Sequence, residues 1–391
     1  MRKICTVIGV ALSILVAVSI PAVTDVVPAS KNLTVHEWGT FTSVANTEGN
    51  AVAWLPVERQ SDLPCFVNQE LAILEQYLSY TVRMETPVLY FYTSREMNVN
   101  ATVRFPRGWL TEWYPQAKVT NHWDSRDPST LEWRDVKVLP HAAQSFPVES
   151  NPSHYYIARR TDAAPVRVKD ENEKFLFYRG VGDFPVPISA TVKDDGKIRL
   201  WSNGGGSIPG VILFERRGGK LGYRVVGSVA RAVSIDRPAL NGDLVSLQRN
   251  LERILVAAGL YPKEAAAMVA TWRDSWFEEG TRVFYIVPPR SLDANLPLNI
   301  DPDPVQVARA FVGRVELITP ATERAVADAI RTNNKPALKP YTRFLRPIVD
   351  RLLEKSEANL EDRNRFQKLE VSFDQEATIH KYQAGPSACR R

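Results

Sequence analysis

Residues 36–38 place an imidazole, a carboxylate and an indole side by side, within the segment TVHEWGTFTSV at 34–44. Imidazole nitrogens and carboxylate oxygens bind zinc and also transfer protons in catalysis. The HExxH pattern of zinc proteases is absent, because Glu37 is followed by Trp-Gly-Thr. We therefore predict no cofactor, and His36 is the candidate ligand if distant strands assemble a metal site. Its candidate partners are Glu37, His122, His141 and His154.

Carboxylates beside aromatic residues or at segment ends suggest a second kind of chemistry. Glycoside hydrolases use two Asp or Glu groups, about 5 to 10 Å apart, on either side of a sugar. Nine tryptophans and 13 tyrosines supply aromatic faces on which sugar rings can stack. The candidate catalytic residues are Glu37, Glu85, Asp183, Glu278 and Glu279. The candidate binding residues are His36, Trp38, Trp113 and Arg179.

The same residues also have a purely structural interpretation. The dipeptide Glu-Trp occurs three times, in segments that we interpret as strands. Because adjacent strand residues point to opposite faces, such a strand naturally buries Trp and exposes Glu. In the 34–44 segment, neither of the two sets of alternate residues is purely apolar or purely polar. A bulge at Gly39 would reverse which set points to the core halfway along the strand. The functional alternative is that His36 or Glu37 lies at the rim of a pocket.

Standard short catalytic motifs are missing from the sequence. Gly218-Gly219-Lys220 lacks the upstream glycine of a phosphate-binding loop, and the glycines at 180 and 182 lack the third glycine of a dinucleotide fingerprint. Ser207 does not have the GxSxG spacing of an α/β-hydrolase nucleophile. These motif-defined enzyme classes are therefore excluded.

The charge balance argues against nucleic acid as a partner. The chain of 391 residues has 49 Lys and Arg against 44 Asp and Glu, a net charge of +5. Without Arg2 and Lys3 the balance is 47 − 44 = +3. The basic residues are dispersed among acidic ones, so they form no electrostatic footprint for a phosphate backbone.

The N-terminus predicts export from the cell. Arg2 and Lys3 precede an apolar run at 4–20 and a small-residue segment, which is the order of a secretory signal peptide. We assign residues 1–24 to this peptide and predict a secreted or periplasmic protein with no membrane span after cleavage. An uncleaved anchor is the alternative. In an oxidising compartment Cys65 and Cys389 would be able to form a disulfide, or Cys65 would be a small buried apolar residue.

The hydrophobic pattern predicts an α+β protein, with an antiparallel β-sandwich-like N-terminal domain followed by a mixed α/β C-terminal domain. Short β-type runs separated by turn residues dominate the first half. They are 82–92, 99–105, 131–139, 154–160, 174–179, 188–192, 198–202, 211–216 and 223–229. One helix is predicted there, at 68–80, where three leucines share a face.

Helical spacing dominates the second half. Predicted helices there are 243–259, 262–277, 304–311, 321–332 and 342–370 with a break after 355, and predicted strands are 282–287 and 313–318. With a boundary at 236–242, the expected organisation is a β-rich domain at 32–235, a mixed α/β domain at 243–371 and an irregular tail at 372–391.

Several segments together resemble a family of exported bacterial proteins. They are HEWGTFTSV at 36–44, METPVLYFY at 84–92, TEWYP at 111–115, EKFLFYRGVGDF at 173–184, SWFEEGTRVFYIVPP at 275–289 and FVGRVELITP at 311–320. The resemblance spans most of the mature chain. It implies export from a bacterial cell and carries no activity, substrate or catalytic residue.

Two functions remain open from the sequence. The first is a non-catalytic envelope or extracellular binding protein, with polysaccharide or another protein as its ligand, because aromatics are abundant and catalytic motifs are missing. The second is a secreted hydrolase, glycosidase-like or metal-dependent, that uses carboxylates near 36–37 and 278–279. The hydrolase requires at least two of the candidate carboxylates to converge around a cleft.

Overall fold

The computed structural model of the protein describes residues 32–56, 63–70, 80–122, 127–149, 153–355 and 360–383. The predicted signal peptide lies outside these residues, as does the stretch 71–79 of the predicted helix at 68–80. Cys65 is disulfide-bonded. The other two cysteines, at positions 5 and 389, lie outside the described residues, so the pairing of Cys65 with Cys389 stays a prediction.

Strands dominate the described residues up to position 235. They are β1 Thr34–Ala45, β2 Ala51–Val52, β3 Asn68–Gln69, β4 Val82–Tyr92, β5 Met97–Phe105, β6 Gly108–Tyr114, β7 Lys118–Thr120, β8 Ser129–Val138, β9 Val166–Val168, β10 Glu171–Glu173, β11 Leu176–Gly182, β12 Ile188–Val192, β13 Ile198–Ser202, β14 Ile208–Arg217, β15 Lys220–Val229 and β16 Ala232–Ile235. A 3₁₀ helix covers His154–Arg159.

From residue 244 onward, helices alternate with three strands that pair with strands of the first half of the chain. The α-helices are α1 Leu244–Ala257, α2 Pro262–Thr271, α3 Arg273–Trp276, α4 Pro289–Asn295, α5 Pro320–Arg331, α6 Lys335–Leu338, α7 Leu345–Lys355 and α8 Leu360–Gln383, with a 3₁₀ helix at Lys339–Phe344. The strands are β17 Gly280–Ile286, β18 Leu298–Asp301 and β19 Gln306–Leu317. None of the described helices combines the length and hydropathy needed to cross a membrane.

A ten-stranded sheet forms the centre of the fold, in the order β15-β14-β17-β19-β1-β4-β11-β6-β3, with β2 also paired to β1. Strand β1 pairs in parallel with β19 over its whole length and antiparallel with β4. Hydrogen bonding on both sides suits β1, which is buried at every position after Thr34.

The mixed and antiparallel sheets confirm the α+β class. The order of strands in the central sheet differs from the predicted arrangement of a β-rich domain followed by a mixed α/β domain. Strands β17 and β19, from the second half of the chain, lie between β14 and β1, from the first half. The boundary at 236–242 therefore does not separate one sheet from another. Burying the apolar faces of β1 and β14 requires neighbours that local sequence does not specify.

Two smaller sheets pack against one face of the central sheet. They have the orders β10-β9-β8-β5-β18, with β7 on β8, and β12-β13-β16. Apolar residues of all three sheets form one cluster, which includes Val35, Phe41, Val103, Leu131, Ile188 and Leu200. Helices cover the other face, where Leu251, Leu255, Met268 and Trp276 pack with Trp38 and Tyr90.

Three predicted elements differ from those observed. The predicted strand at 154–160 is a 3₁₀ helix, because Ser153 caps it by accepting from the Tyr155 N–H at 3.2 Å. The predicted helix at 304–311 belongs to β19, whose parallel pairing with β1 overrides the local helical pattern. The start of the predicted helix at 68–80 is strand β3.

The C-terminal end differs from the expected irregular tail. Helix α8 continues past residue 372 and ends at Gln383. The break predicted after 355 agrees with separate helices α7 and α8.

Candidate functional site

The two faces of β1 divide the first candidate residues. Val35, Glu37 and Phe41 face the cluster shared by the three sheets, whereas Trp38 faces the helices. The bulge lies opposite Gly39 rather than at it, because Trp38 pairs with Val88 while Thr40 pairs with Glu85. Strand β4 therefore carries one extra residue, with Thr86 and Pro87 both opposite Gly39, and Thr86 has a φ of +49°.

Gly39 has a packing role. A Cβ at this position would lie 2.7 Å from Cε1 of Phe311 and 3.1 Å from Cα of Pro87. Only glycine lets the bulged strand and the Phe311 ring approach β1 so closely.

Glu37 lies in a buried ion pair. Its carboxylate is fully buried and accepts from Arg309 Nε at 2.6 Å and from the Tyr178 hydroxyl at 2.5 Å. Burial and the Glu37 carboxylate raise the pKa of Tyr178 well above its ordinary value, so the phenol remains a donor. Each carboxylate oxygen of Glu37 thus accepts a hydrogen bond from a side-chain donor. This geometry is typical of a structural ion pair rather than of a catalytic acid.

His36 forms a second buried pair, on the helix-covered face. Its Nδ1 lies 2.7 Å from Oε2 of Glu264, and both side chains are fully buried. Glu264 also accepts from the Tyr92 hydroxyl at 2.8 Å and from the Tyr261 N–H at 2.7 Å. The imidazole packs 4.4 Å from the Tyr261 ring, and its Nε2 has no hydrogen-bond partner among the described residues.

Histidines from distant strands do not assemble around His36. His141 Nε2 lies 3.0 Å from the Ser94 carbonyl oxygen, and His154 pairs with Asp274 at 3.2 Å. Within the described ranges there is no group of three or more His, Cys, Asp or Glu residues that would hold a metal ion. The His36 environment is therefore a dyad with Glu264, which the sequence analysis missed because 228 residues separate them.

Glu85 and Glu278 approach each other through one arginine. Arg343 Nη1 lies 2.8 Å from Glu85, and Arg343 Nε lies 3.4 Å from Glu278. Glu85 also accepts from the Thr42 hydroxyl at 2.6 Å. Of the five catalytic candidates, these two share a neighbour.

Further buried arginines complete this network. Arg314 Nη2 donates to Glu278 at 2.6 Å and lies 3.3 Å from Glu316, which is 2.9 Å from Arg282 Nε. Burial raises the pKa of Glu278, but the nearby arginines outweigh it and hold the pKa below its ordinary value. A general acid needs a raised pKa, so Glu278 suits a structural anion better than a proton donor.

The other candidates lie apart from this network or at its edge. Asp183 accepts from the Thr81 N–H at 2.8 Å, and Glu279 accepts from the Gly218 N–H at 2.5 Å. Arg179 donates to the Thr86 hydroxyl at 3.1 Å. Trp113 is half-buried, in register with the Tyr178 position of β11.

An open cavity of about 650 Å³ lies elsewhere, on the small sheet β12-β13-β16. Its floor is the water-facing side of these strands, and its rim includes the turn after β1. We call this surface the Trp201 face. Its lining residues include Thr47, Glu48, Thr191, Lys193, Asp194, Arg199, Trp201, Arg231 and Ala232.

Strand alternation explains why Trp201 is exposed to the cavity. In β13, Ile198 and Leu200 are fully buried in the core cluster, so Arg199 and Trp201 point the other way. Trp201 pairs with Ala232 of β16 and is only half-buried. The signal for this residue in IRLWS was the alternation of Ile198 and Leu200 with Arg199 and Trp201, which places Trp201 on the polar face, and it was not used in the sequence-based prediction.

The turn after β1 supports the indole ring. Asn46 Oδ1 accepts from the backbone N–H groups of Glu48 at 3.0 Å and Asn50 at 2.9 Å. Gly49 has a φ of +88°, and a Cβ there would lie 2.4 Å from Cη2 of Trp201. The ring therefore packs directly on the glycine backbone.

A hydrogen bond between elements fixes this turn against the sheet. The Thr191 hydroxyl donates to the Thr47 carbonyl oxygen at 2.7 Å. The rim and floor of the cavity are therefore joined, and the Trp201 face is preformed rather than assembled from separate loops.

Comparisons with known proteins identify no family. No protein-family model matches the chain, and no curated protein matches it. Among solved structures, the chain is similar to the yeast delta-COP-I mu-homology domain, with a TM-score of 0.28 and 9% identity over 74% of this chain and 97% of that one. The same domain complexed with a Dsl1 WxWxV peptide gives a TM-score of 0.25 and 10% identity over 74% and 98%. Similarity at this level supports no inference about function.

Proposed function

We propose that the protein is a non-catalytic envelope or extracellular protein that binds polysaccharide at the Trp201 face. The observation that carries the proposal is a half-buried tryptophan on the floor of a preformed open cavity. The signal-peptide-like N-terminus supports a location outside the cytoplasm, where such ligands occur.

The chemistry of the Trp201 face suits a sugar ring. An indole supplies a rigid apolar surface, against which the C–H face of a sugar can pack. Small neighbours such as Ala232 leave that surface accessible, while Thr191 and Arg199 offer polar groups at its edge. A few polar groups around an apolar platform are typical of specific ligand sites.

A hydrolase is the less favoured function. Glu37, Glu85 and Glu278 each accept from arginine side chains. The described cavity contains none of the five candidate catalytic carboxylates in its lining. None of these five carboxylates is therefore placed to act on a sugar at the Trp201 face.

Substitution of Trp201 tests the proposal. The purified mature protein would be screened against soluble plant and bacterial polysaccharides by affinity electrophoresis, and the affinity for those bound would be measured by calorimetry. Trp201→Ala should weaken binding about tenfold or more, which corresponds to about 1.4 kcal/mol. Val225→Ala is the control, because Val225 is a 49% exposed apolar residue outside the cavity lining.

Two results would contradict the proposal. One is unchanged polysaccharide affinity of Trp201→Ala while its unfolding midpoint matches that of the wild type. The other is the absence of binding to every polysaccharide by the wild type, together with a Trp201-dependent complex with a protein. The second result would assign the Trp201 face to a protein ligand instead.

A further inference from the structure

We infer that the Trp201 face selects acidic polysaccharide, with a sugar carboxylate or sulfate recognised by Arg199 and Arg231. This inference rests on the proposed function and adds the chemical class of the ligand. Its basis is the set of cations around Trp201, which have no carboxylate partner among the residues that the structure describes.

Three cations line the cavity without a carboxylate partner. Lys193, Arg199 and Arg231 are exposed, and none forms an ion pair with any residue that the structure describes. Elsewhere the fold pairs its arginines closely, as in Arg237–Glu215 at 2.5 Å and Arg159–Glu173 at 2.7 Å. The unpaired cations around the cavity therefore remain available to a ligand.

The lining has fewer acidic groups than basic ones. Glu48 and Asp194 oppose the three cations, which leaves 3 − 2 = +1. Glu48 already accepts from the side-chain amide of Asn50 at 3.3 Å. The local field therefore favours an anionic ligand over a cationic one.

The position of Arg199 links charge to stacking. Arg199 and Trp201 lie two residues apart on the same side of β13, and the guanidinium carbon lies 5.7 Å from the indole ring centroid. A sugar placed against the indole would bring its carboxylate or sulfate within reach of the guanidinium. Arginine presents a fork of donors that matches two oxygens of such a group.

Arg231 is a second arginine in the cavity lining. It is the last residue before β16, whose first residue, Ala232, pairs with Trp201. The Arg231 carbonyl oxygen accepts from the Ser202 N–H at 2.8 Å, which holds its backbone beside β13. Both arginines therefore line the cavity that contains Trp201, Arg199 on β13 and Arg231 directly before β16.

The test compares pairs of ligands that share a sugar backbone and differ in charge. Oligogalacturonate and its methyl ester have the same sugar backbone, and a sulfated galactan with its desulfated form distinguishes sulfate from carboxylate. Wild-type protein should bind one acidic form about tenfold more tightly than its neutral counterpart at low salt. The preference should shrink as ionic strength rises to about 0.15 M and above.

The variants separate this inference from the proposed function. Arg199→Gln and Arg231→Gln should each remove most of the preference for the acidic form over its neutral counterpart. Arg224→Gln, which changes an exposed arginine outside the cavity lining, should retain the preference. Trp201→Ala should weaken binding of both forms.

Each outcome has one meaning. Equal affinity for acidic and neutral forms, with Trp201→Ala still weakening both, would overturn the inference and leave the proposed function standing. An acid preference that Arg224→Gln reduces as much as Arg199→Gln would also overturn it, because general surface charge would then explain it. Binding that is insensitive to Trp201→Ala would instead contradict the proposed function.

Discussion

The buried pair of Glu37 and Arg309 allows a sharp test of how the fold uses its charges. Glu37 is fully buried, and Arg309 is 10% exposed, with 2.6 Å between Nε and the carboxylate. Replacing Arg309 by Met leaves the carboxylate in an apolar layer with the Tyr178 hydroxyl as its remaining side-chain donor among the described residues. Because one charge is left without its counter-ion, we expect the free energy of unfolding to fall by about 3–5 kcal/mol.

The double variant Glu37→Gln/Arg309→Met is the control for this pair. It removes both charges and keeps an acceptor for the Tyr178 hydroxyl. A buried ion pair replaced by uncharged groups of similar size is often neutral, and imperfect packing adds about 1 kcal/mol. The double variant should therefore be more stable than Arg309→Met alone by about 2 kcal/mol or more.

Urea unfolding at neutral pH measures these differences, with the m-value fitted separately for each protein. A loss below about 1 kcal/mol for Arg309→Met, which is the range of exposed ion pairs, would refute the reasoning. Additive effects of the two substitutions would refute it as well, because partners in contact must show coupling.

Two further predictions concern the cavity and the arginine network. Gly49→Ala should weaken polysaccharide binding, because the added Cβ would displace Trp201. Gly196→Ala is the control, because Gly196 has a similar φ of +81° but no atom lies within 4 Å of an added Cβ. This control should lower the free energy of unfolding by only about 1–2 kcal/mol through left-handed backbone strain, and it should bind polysaccharide normally. Equal binding by the two variants would show that the turn does not support the indole. Glu278→Gln should destabilise the protein at neutral pH and less so as the pH falls, because the folded pKa of Glu278 lies below its unfolded value of about 4.3 and its stabilisation is lost as pH falls through the folded value. Urea unfolding from about pH 7 down to about pH 3 measures this effect, and a difference that stays constant with pH would contradict it.

Several elements were predictable from the sequence because their signals are local. The strands at 82–92, 188–192 and 198–202 have the predicted bounds, since apolar alternation and turn residues specify them directly. Helix α1 begins after Asp243, whose side chain accepts from the N–H groups of Val245 and Ser246. Such caps involve residues only two or three positions apart.

Other elements required contacts that local patterns cannot specify. The segment 304–311 was assigned to a helix, yet it enters β19 because β1 offers a buried parallel partner 272 residues away. The segment 154–160 alternates like a strand, but the Ser153 cap and the pairing of Arg159 with Glu173 favour a 3₁₀ turn. In both cases tertiary burial outweighs local propensity.

The sequence alone determined that this protein is sheet-rich and of the α+β class, because periodicity and turn chemistry are properties of neighbouring residues. It also brought His36 and Glu37 to attention, since alternation could not place both comfortably. Only the tertiary structure decided their partners, Glu264 and Arg309, which lie 228 and 272 residues away. The reason is physical: a buried charge is stable only beside a counter-charge, and the fold, not the spacing along the chain, brings that counter-charge near.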